Sequence, residues 1–190
     1  MKRSTINAAY REAIAVFTAG GWTLPARPHW DISDFGSGEF DRCGIVVVNL
    51  TEEPEYSEKL IYLRPGQSLP LHTHRKKKED IICRAGELVV ELWAGPPSND
   101  KLGAPLRVKR SGDWVVAASG EPFPLQAGER VTLVPGVYHR FWPMRPGTII
   151  GEVATANDDR NDNVFLELGV ARFSAIEEDE PREIRLVNES

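Results

Sequence analysis

Apolar positions recur at three- and four-residue spacing only near the start of the chain. Ile6, Ala9, Tyr10, Ala13, Ile14 and Phe17 share one face of a helix predicted over residues 4–19. Ser4 is placed to cap it, and Gly20-Gly21 to stop it. A loop rich in Pro, Gly and aromatic residues follows, with Trp22, Pro25, Pro28 and Trp30, and is expected to pack across a barrel surface. From about Cys43 the period changes. Short β-branched runs, Ile45–Leu50, Lys59–Leu63, Glu87–Trp93, Trp114–Ala117, Arg130–Val134 and Thr148–Val153, alternate with turn signals at Pro65-Gly66, Gly95-Pro96-Pro97, Ala127-Gly128, Pro135-Gly136 and Pro146-Gly147. The pattern predicts an all-β barrel or sandwich behind one helix. The acidic run Glu177-Glu178-Asp179-Glu180-Pro181 reads as exposed, with Ile184–Val187 as a final edge strand.

Composition narrows the classes. A chain of 190 residues suits one domain, with the helix at about 4–19 and the barrel at about 43–190. A net charge of −5 argues against nucleic acid or an anionic membrane as partner. Cys43 and Cys83 lack Cys-x-x-Cys spacing, so neither a disulfide framework nor a zinc knuckle is indicated; free core thiols are expected. The N-terminus has no signal-like apolar stretch, and no segment approaches the roughly 20 apolar residues of a membrane span. A cytoplasmic protein is expected.

Three of the four histidines bear on chemistry. His72 and His74 are two apart, so on a strand both imidazoles emerge on one face. Glu79 follows the polar loop Arg75–Lys78, and His139 follows the Pro135-Gly136 turn. Three imidazoles and a carboxylate suit a first-row divalent ion with positions left open. His29, in the N-terminal loop, is read as structural or exposed. Five residues separate Gly66 from His72, four separate His74 from Glu79, and six separate Glu79 from Gly86. That spacing resembles the first motif of the cupin superfamily, and Gly128, Gly136 and His139 resemble its second. The second departs where Pro135 adjoins Gly136 and where Pro143 replaces a terminal Asn. The resemblance implies an all-β cupin β-barrel with a short N-terminal helix.

Longer stretches carry a narrower resemblance. Pro70–Ile82, Val90-Glu91-Leu92-Trp93, Pro135–Trp142, Gly151-Glu152-Val153 and the cluster Asn157-Asp158-Asp159 with Asp162-Asn163 look like the D-lyxose ketol-isomerase family of cupins. Most of the chain is similar, with residues 95–120 the least informative. The resemblance implies a metal-dependent aldose–ketose isomerase of free sugars, D-lyxose to D-xylulose and D-mannose to D-fructose, working through an enediol. Glu152, an acid in an apolar strand, is the first candidate for the base, unless it points outward. Lys59 matches a lysine of the family and can polarise a sugar oxygen, or else is a solvated lysine. Asp162 is a candidate for binding sugar hydroxyls from a rim loop, although Asn and Asp also favour turns. Phe141 shares the inward face of His139 as a pocket wall or as plain core. Arg75–Lys78 reads as a solvated turn, or as one that sends one or two lysines to the site mouth. Manganese is the metal expected, with Zn, Co or Fe as alternatives, and a homodimer is the expected assembly. A cupin phosphosugar isomerase, an iron-dependent dioxygenase and a non-catalytic sugar-binding cupin stand as competing functions.

Overall fold

The computed structural model describes residues 1–97, 103–155, 158 and 161–189. Its elements run α1 (Arg3–Ala19), β1 (His29–Ser33), α2 (Phe40–Cys43), β2 (Ile45–Glu52), β3 (Tyr56–Tyr62), β4 (His72–His74), β5 (Glu79–Ala85), β6 (Glu87–Trp93), β7 (Leu106–Arg110), β8 (Asp113–Ala117), β9 (Pro122–Gln126), β10 (Arg130–Leu133), β11 (Tyr138–Pro143), β12 (Ile149–Thr155) and β13 (Asn163–Phe165). The strands form an eight-stranded sheet, β1-β2-β3-β12-β5-β10-β7-β8, and a five-stranded sheet, β13-β4-β11-β6-β9. This is the mostly β, cupin-like architecture with one N-terminal helix that the sequence predicts.

Alternation along each strand builds two cores. Val47, Ile61, Ile81 and Ile150 point between the sheets and pack with Val90 and Phe141. Their neighbours Val46, Val48, Leu60 and Ile149 point the other way, onto Ile6, Ala9, Ala13 and Phe17 of α1. A strand buried on both faces has no polar face to keep. That is why Ile45–Val48 is an unbroken apolar run. At the end of α1 the fit is tight: a Cβ on Gly20 would stand 2.3 Å from Ile149 Cδ1.

The N-terminal cap differs from expectation. The helix begins at Arg3, and Ser4 lies inside its first turn. Ser4 N–H and Oγ–H both donate to the Asp179 carboxylate, at 2.8 and 2.6 Å. The acidic C-terminal segment therefore supplies the cap, its negative charge set against the helix N-terminus. The same segment holds Arg3, whose side chain is fully buried, through Glu178 and Glu189, and Asn7 Nδ2 donates to Glu180 at 2.7 Å. Ile184–Val187 is not an edge strand: it makes one parallel bridge, Leu186 to Trp30. Trp30 itself belongs to β1 rather than to a loop, and meets Tyr10 edge-on at 5.0 Å.

This clasp yields a stability prediction. Arg3→Met would leave the largely buried Glu189 with only the half-exposed Arg182, 3.5 Å away, and should cost about 2 kcal/mol, less than a fully buried pair because Glu178 is exposed. Urea unfolding at neutral pH measures it; an unchanged midpoint would show that the clasp contributes nothing.

Candidate metal centre and active site

Three imidazoles meet because two short strands pair in register. His139 on β11 stands opposite His72 on β4, and His74 lies two residues further along the same face. The Pro135-Gly136 turn fixes the approach, since Gly136 adopts φ +89° and donates its N–H to the His74 carbonyl at 3.0 Å. Ring centroids lie 4.3 Å apart for His72–His139, 5.3 Å for His72–His74 and 5.6 Å for His74–His139. One nitrogen from each ring falls within 4.8 Å of the others.

Glu79 reaches this cluster from β5 of the facing sheet. Its Oε1 lies 3.2 Å from His74 Nε2 and 3.0 Å from His139 Nε2. All three of these buried atoms lack a hydrogen-bond partner among the described residues. His72 Nδ1 lies 2.9 Å from the Pro70 carbonyl and His139 Nδ1 3.2 Å from that of Val137. A carbonyl only accepts, so each Nδ1 carries the proton and each Nε2 presents a lone pair. Converging lone pairs with no donor between them fit a divalent cation. They do not fit a network of hydrogen bonds.

Electrostatics agree with that reading. Burial, reinforced by His139 and His74, holds the His72 imidazole well below its ordinary pKa. For Glu79, burial opposes the charge, but Lys77 and then His74 and His139 outweigh it and hold the carboxyl well below its usual range.

Beside the cluster lies a second buried carboxylate. Lys59 and Glu152 face each other across β3 and β12, with Nζ 3.3 Å from Oε1. Lys77 links the two acids: its Nζ is 2.9 Å from Glu152 Oε1 and 2.9 Å from Glu79 Oε2. Lys59 and Lys77 are 3% and 4% exposed, so neither is a surface cation. Of the run Arg75–Lys78, only Lys77 turns in, while Arg75, Lys76 and Lys78 are exposed. The period-two series Lys77, Glu79, Ile81 was the available signal for it.

Asp162 sits behind the histidines. Its oxygens accept the backbone N–H groups of Lys76 and Lys77, at 2.8 and 3.0 Å, and Oδ2 lies 3.7 Å from His74 Nδ1. It does not line the cavity, in contrast to the rim position read from sequence. Asp158 caps the turn to Asn161; Asn157 and Asp159 lie outside the described residues. His29 is exposed at the start of β1.

Between the sheets lies a cavity whose empty space, with the open solvent at its mouth counted in, is about 460 Å³. The three imidazoles, Glu79, Lys59, Lys77 and Glu152 give it its polar lining. Phe141, Phe35, Phe165 and aliphatic side chains give the apolar lining, with Arg172 also reaching in. Phe35, Phe165 and Arg172 come from irregular or very short segments, and no local pattern in the sequence pointed to them.

The shift at His72 gives a pH prediction. An unfolded histidine takes up a proton near pH 6.5, which folded, metal-free His72 refuses. Below that pH the unfolded state binds more protons, so His72 makes the apo protein lose stability as pH falls. Histidine NMR on the metal-free protein should find His72 still neutral at pH 6. A protonated His72 there would contradict the geometry.

A family model described as D-lyxose isomerase matches residues 26–190. The D-lyxose/D-mannose isomerase of Serratia proteamaculans is 36% identical over 171 residues, 84% of this chain and 75% of its own length. That of Escherichia coli O157:H7 is 34% identical over the same shares. Among solved structures, Acinetobacter sp. DL28 L-ribose isomerase in complex with L-ribose has a TM-score of 0.69 and covers 93% of this chain and 98% of its own. At 17% identity that likeness is one of fold. Matched through its barrel by the family model, and through most of its length by these two relatives, the chain belongs to the D-lyxose isomerase family.

Proposed function

We propose that the protein is a metal-dependent aldose–ketose isomerase of free sugars, converting D-lyxose to D-xylulose and D-mannose to D-fructose by proton transfer through an enediol. One observation carries the mechanism: Lys77 joins a metal-ligand carboxylate, Glu79, to a second buried carboxylate, Glu152, in one cavity. Family membership and relatives named as D-lyxose/D-mannose isomerases support the choice of substrate.

His72, His74, Glu79 and His139 would hold the divalent ion, for which we favour manganese. When bound, the ion supplies Lewis-acid polarisation to adjacent sugar oxygens. Glu152 is the group we assign to take the C2 proton and return it at C1. Its neighbours Lys59 and Lys77 are placed to steady the developing negative charge on O1 and O2 and to pass a proton between them. Phe141 offers an apolar wall to the carbon face of the sugar. We read Asp162 as acting one step back, turning Lys77 inward by holding its backbone.

A phosphosugar reading has less support. Lys77 is the only cation of Arg75–Lys78 that enters the cavity, and it contacts two carboxylates there. We take the protein to be a cytoplasmic homodimer; Trp114 and Val116, exposed on edge strand β8, offer apolar surface for pairing.

Turnover of free aldoses and their 6-phosphates by the manganese-loaded protein, against a chelated control, tests the assignment. Metal-dependent ketose formation from lyxose or mannose supports it, and activity confined to phosphates refutes it. Glu152→Gln should lower kcat by about 10²–10⁴ while manganese content stays unchanged. An active variant would remove Glu152 from the mechanism.

A further inference from the structure

The groups invoked above line the cavity, and buried polar positions continue past them on the same face of the sheet. Glu152 on β12 stands opposite Lys59 on β3, and Lys59 opposite Asn49 on β2. Asp31 on β1 is opposite Val47, two residues along β2 from Asn49. Directly paired residues share a face. Lys59 and Val47 both line the cavity, so Asn49 and Asp31 lie on its side of the sheet. A polar row thus crosses four adjacent strands and ends at Asp31, which is ion-paired to Arg172. The inward positions around it are Ile45, Val47, Ile61, Ile81 and Ile150. Polar groups in such surroundings are costly unless a partner meets them. Asn49 Oδ1 is buried and has no hydrogen-bond partner among the described residues.

Arg172 lines the same cavity and is separated from His72 by two aromatic rings. His72 abuts Phe165 at 5.8 Å, Phe165 abuts Phe35 at 5.7 Å, and the Arg172 guanidinium lies 5.8 Å over Phe35. Its surroundings hold it firmly. Phe35 sits at φ +56°, unusual for a bulky residue, with its N–H donating to Ser33 Oγ at 2.9 Å and its carbonyl accepting from Ala171 N–H at 3.0 Å. The guanidinium is clamped between the Phe35 ring and the Asp31 carboxylate, and it reaches the cavity.

We infer that this row is the track of an extended sugar chain, and that Arg172, positioned by Asp31 and Phe35, donates to the hydroxyl at the end remote from the carbonyl. The inference rests on the isomerase reading and adds the determinant of specificity at the far end of the substrate. The ligand class there is a neutral polyol terminus. A phosphate would meet the Asp31 carboxylate beside the guanidinium, whereas a hydroxyl meets no repulsion.

The test compares D-mannose with 6-deoxy-D-mannose, which form the same ring size and differ only in the terminal hydroxyl. For the manganese-loaded protein the deoxy sugar should show a KM about tenfold higher or more. Arg172→Gln should raise KM for mannose and bring the two sugars together, and Asp31→Asn should narrow the gap. Equal KM values in the unmodified protein, or a gap that survives Arg172→Gln, would overturn the inference while leaving the isomerase intact. If Arg172→Gln does not fold, the comparison in the unmodified protein decides alone. Failure to turn over any aldose would remove the isomerase reading, and this one with it.

Discussion

The structure depends on keeping four charges out of water: Lys59, Lys77, Glu79 and Glu152 are each at most 7% exposed. Bringing an ion into such surroundings costs several kcal/mol, and only close partners offset it. Here the partners alternate in sign. Glu79 touches Lys77, Lys77 touches Glu152, and Glu152 touches Lys59, with contacts of 2.9 to 3.3 Å. None of the four can be removed without leaving a neighbour less compensated. The row is therefore costly to keep and strongly specified in geometry, which is what a proton-transfer site needs.

The fold serves that requirement by giving each sheet a separate task. The five-stranded sheet supplies the imidazoles, whose register comes from the direct pairing of His72 with His139. The eight-stranded sheet supplies both carboxylates and Lys59 from β3, β5 and β12, which are neighbours in it. Lys77 comes from the loop between the two, held by Asp162. On the outer face of the large sheet, α1 covers Val46, Val48, Leu60 and Ile149. The acidic C-terminal segment in turn fastens α1 through Arg3, Ser4 and Asn7.

Much of this was legible in the sequence, for definite reasons. Short β-branched runs between turn signals, such as Glu87–Trp93, predicted strands, and His72-x-His74 with Glu79 and His139 a candidate metal site, because local composition and short-range spacing encode both. What escaped depended on contacts between distant segments. Ser4 looked like a cap, but Asp179 supplies one from 175 residues away. Trp30 followed two prolines and read as loop, yet pairing with β2 makes β1 a strand. The run Arg75–Lys78 left a solvated turn and a lysine at the site mouth both open, and the hydrogen bonds to Asp162 decide that Lys77 turns in. Arg172 and Phe35, 137 positions apart, meet only in the folded chain, and no local pattern encodes that.

The central claim is that a side-chain base moves the C2 proton. Running the isomerisation of D-lyxose in D₂O with manganese present, and reading deuterium at C1 of the xylulose by NMR, tests it most directly. Proton transfer through Glu152 predicts solvent deuterium at C1, because a carboxylic acid exchanges its proton with water between removal and return. Ketose formed with no deuterium at C1 would show that the hydrogen passes from C2 to C1 without reaching an exchangeable group, and would contradict the account.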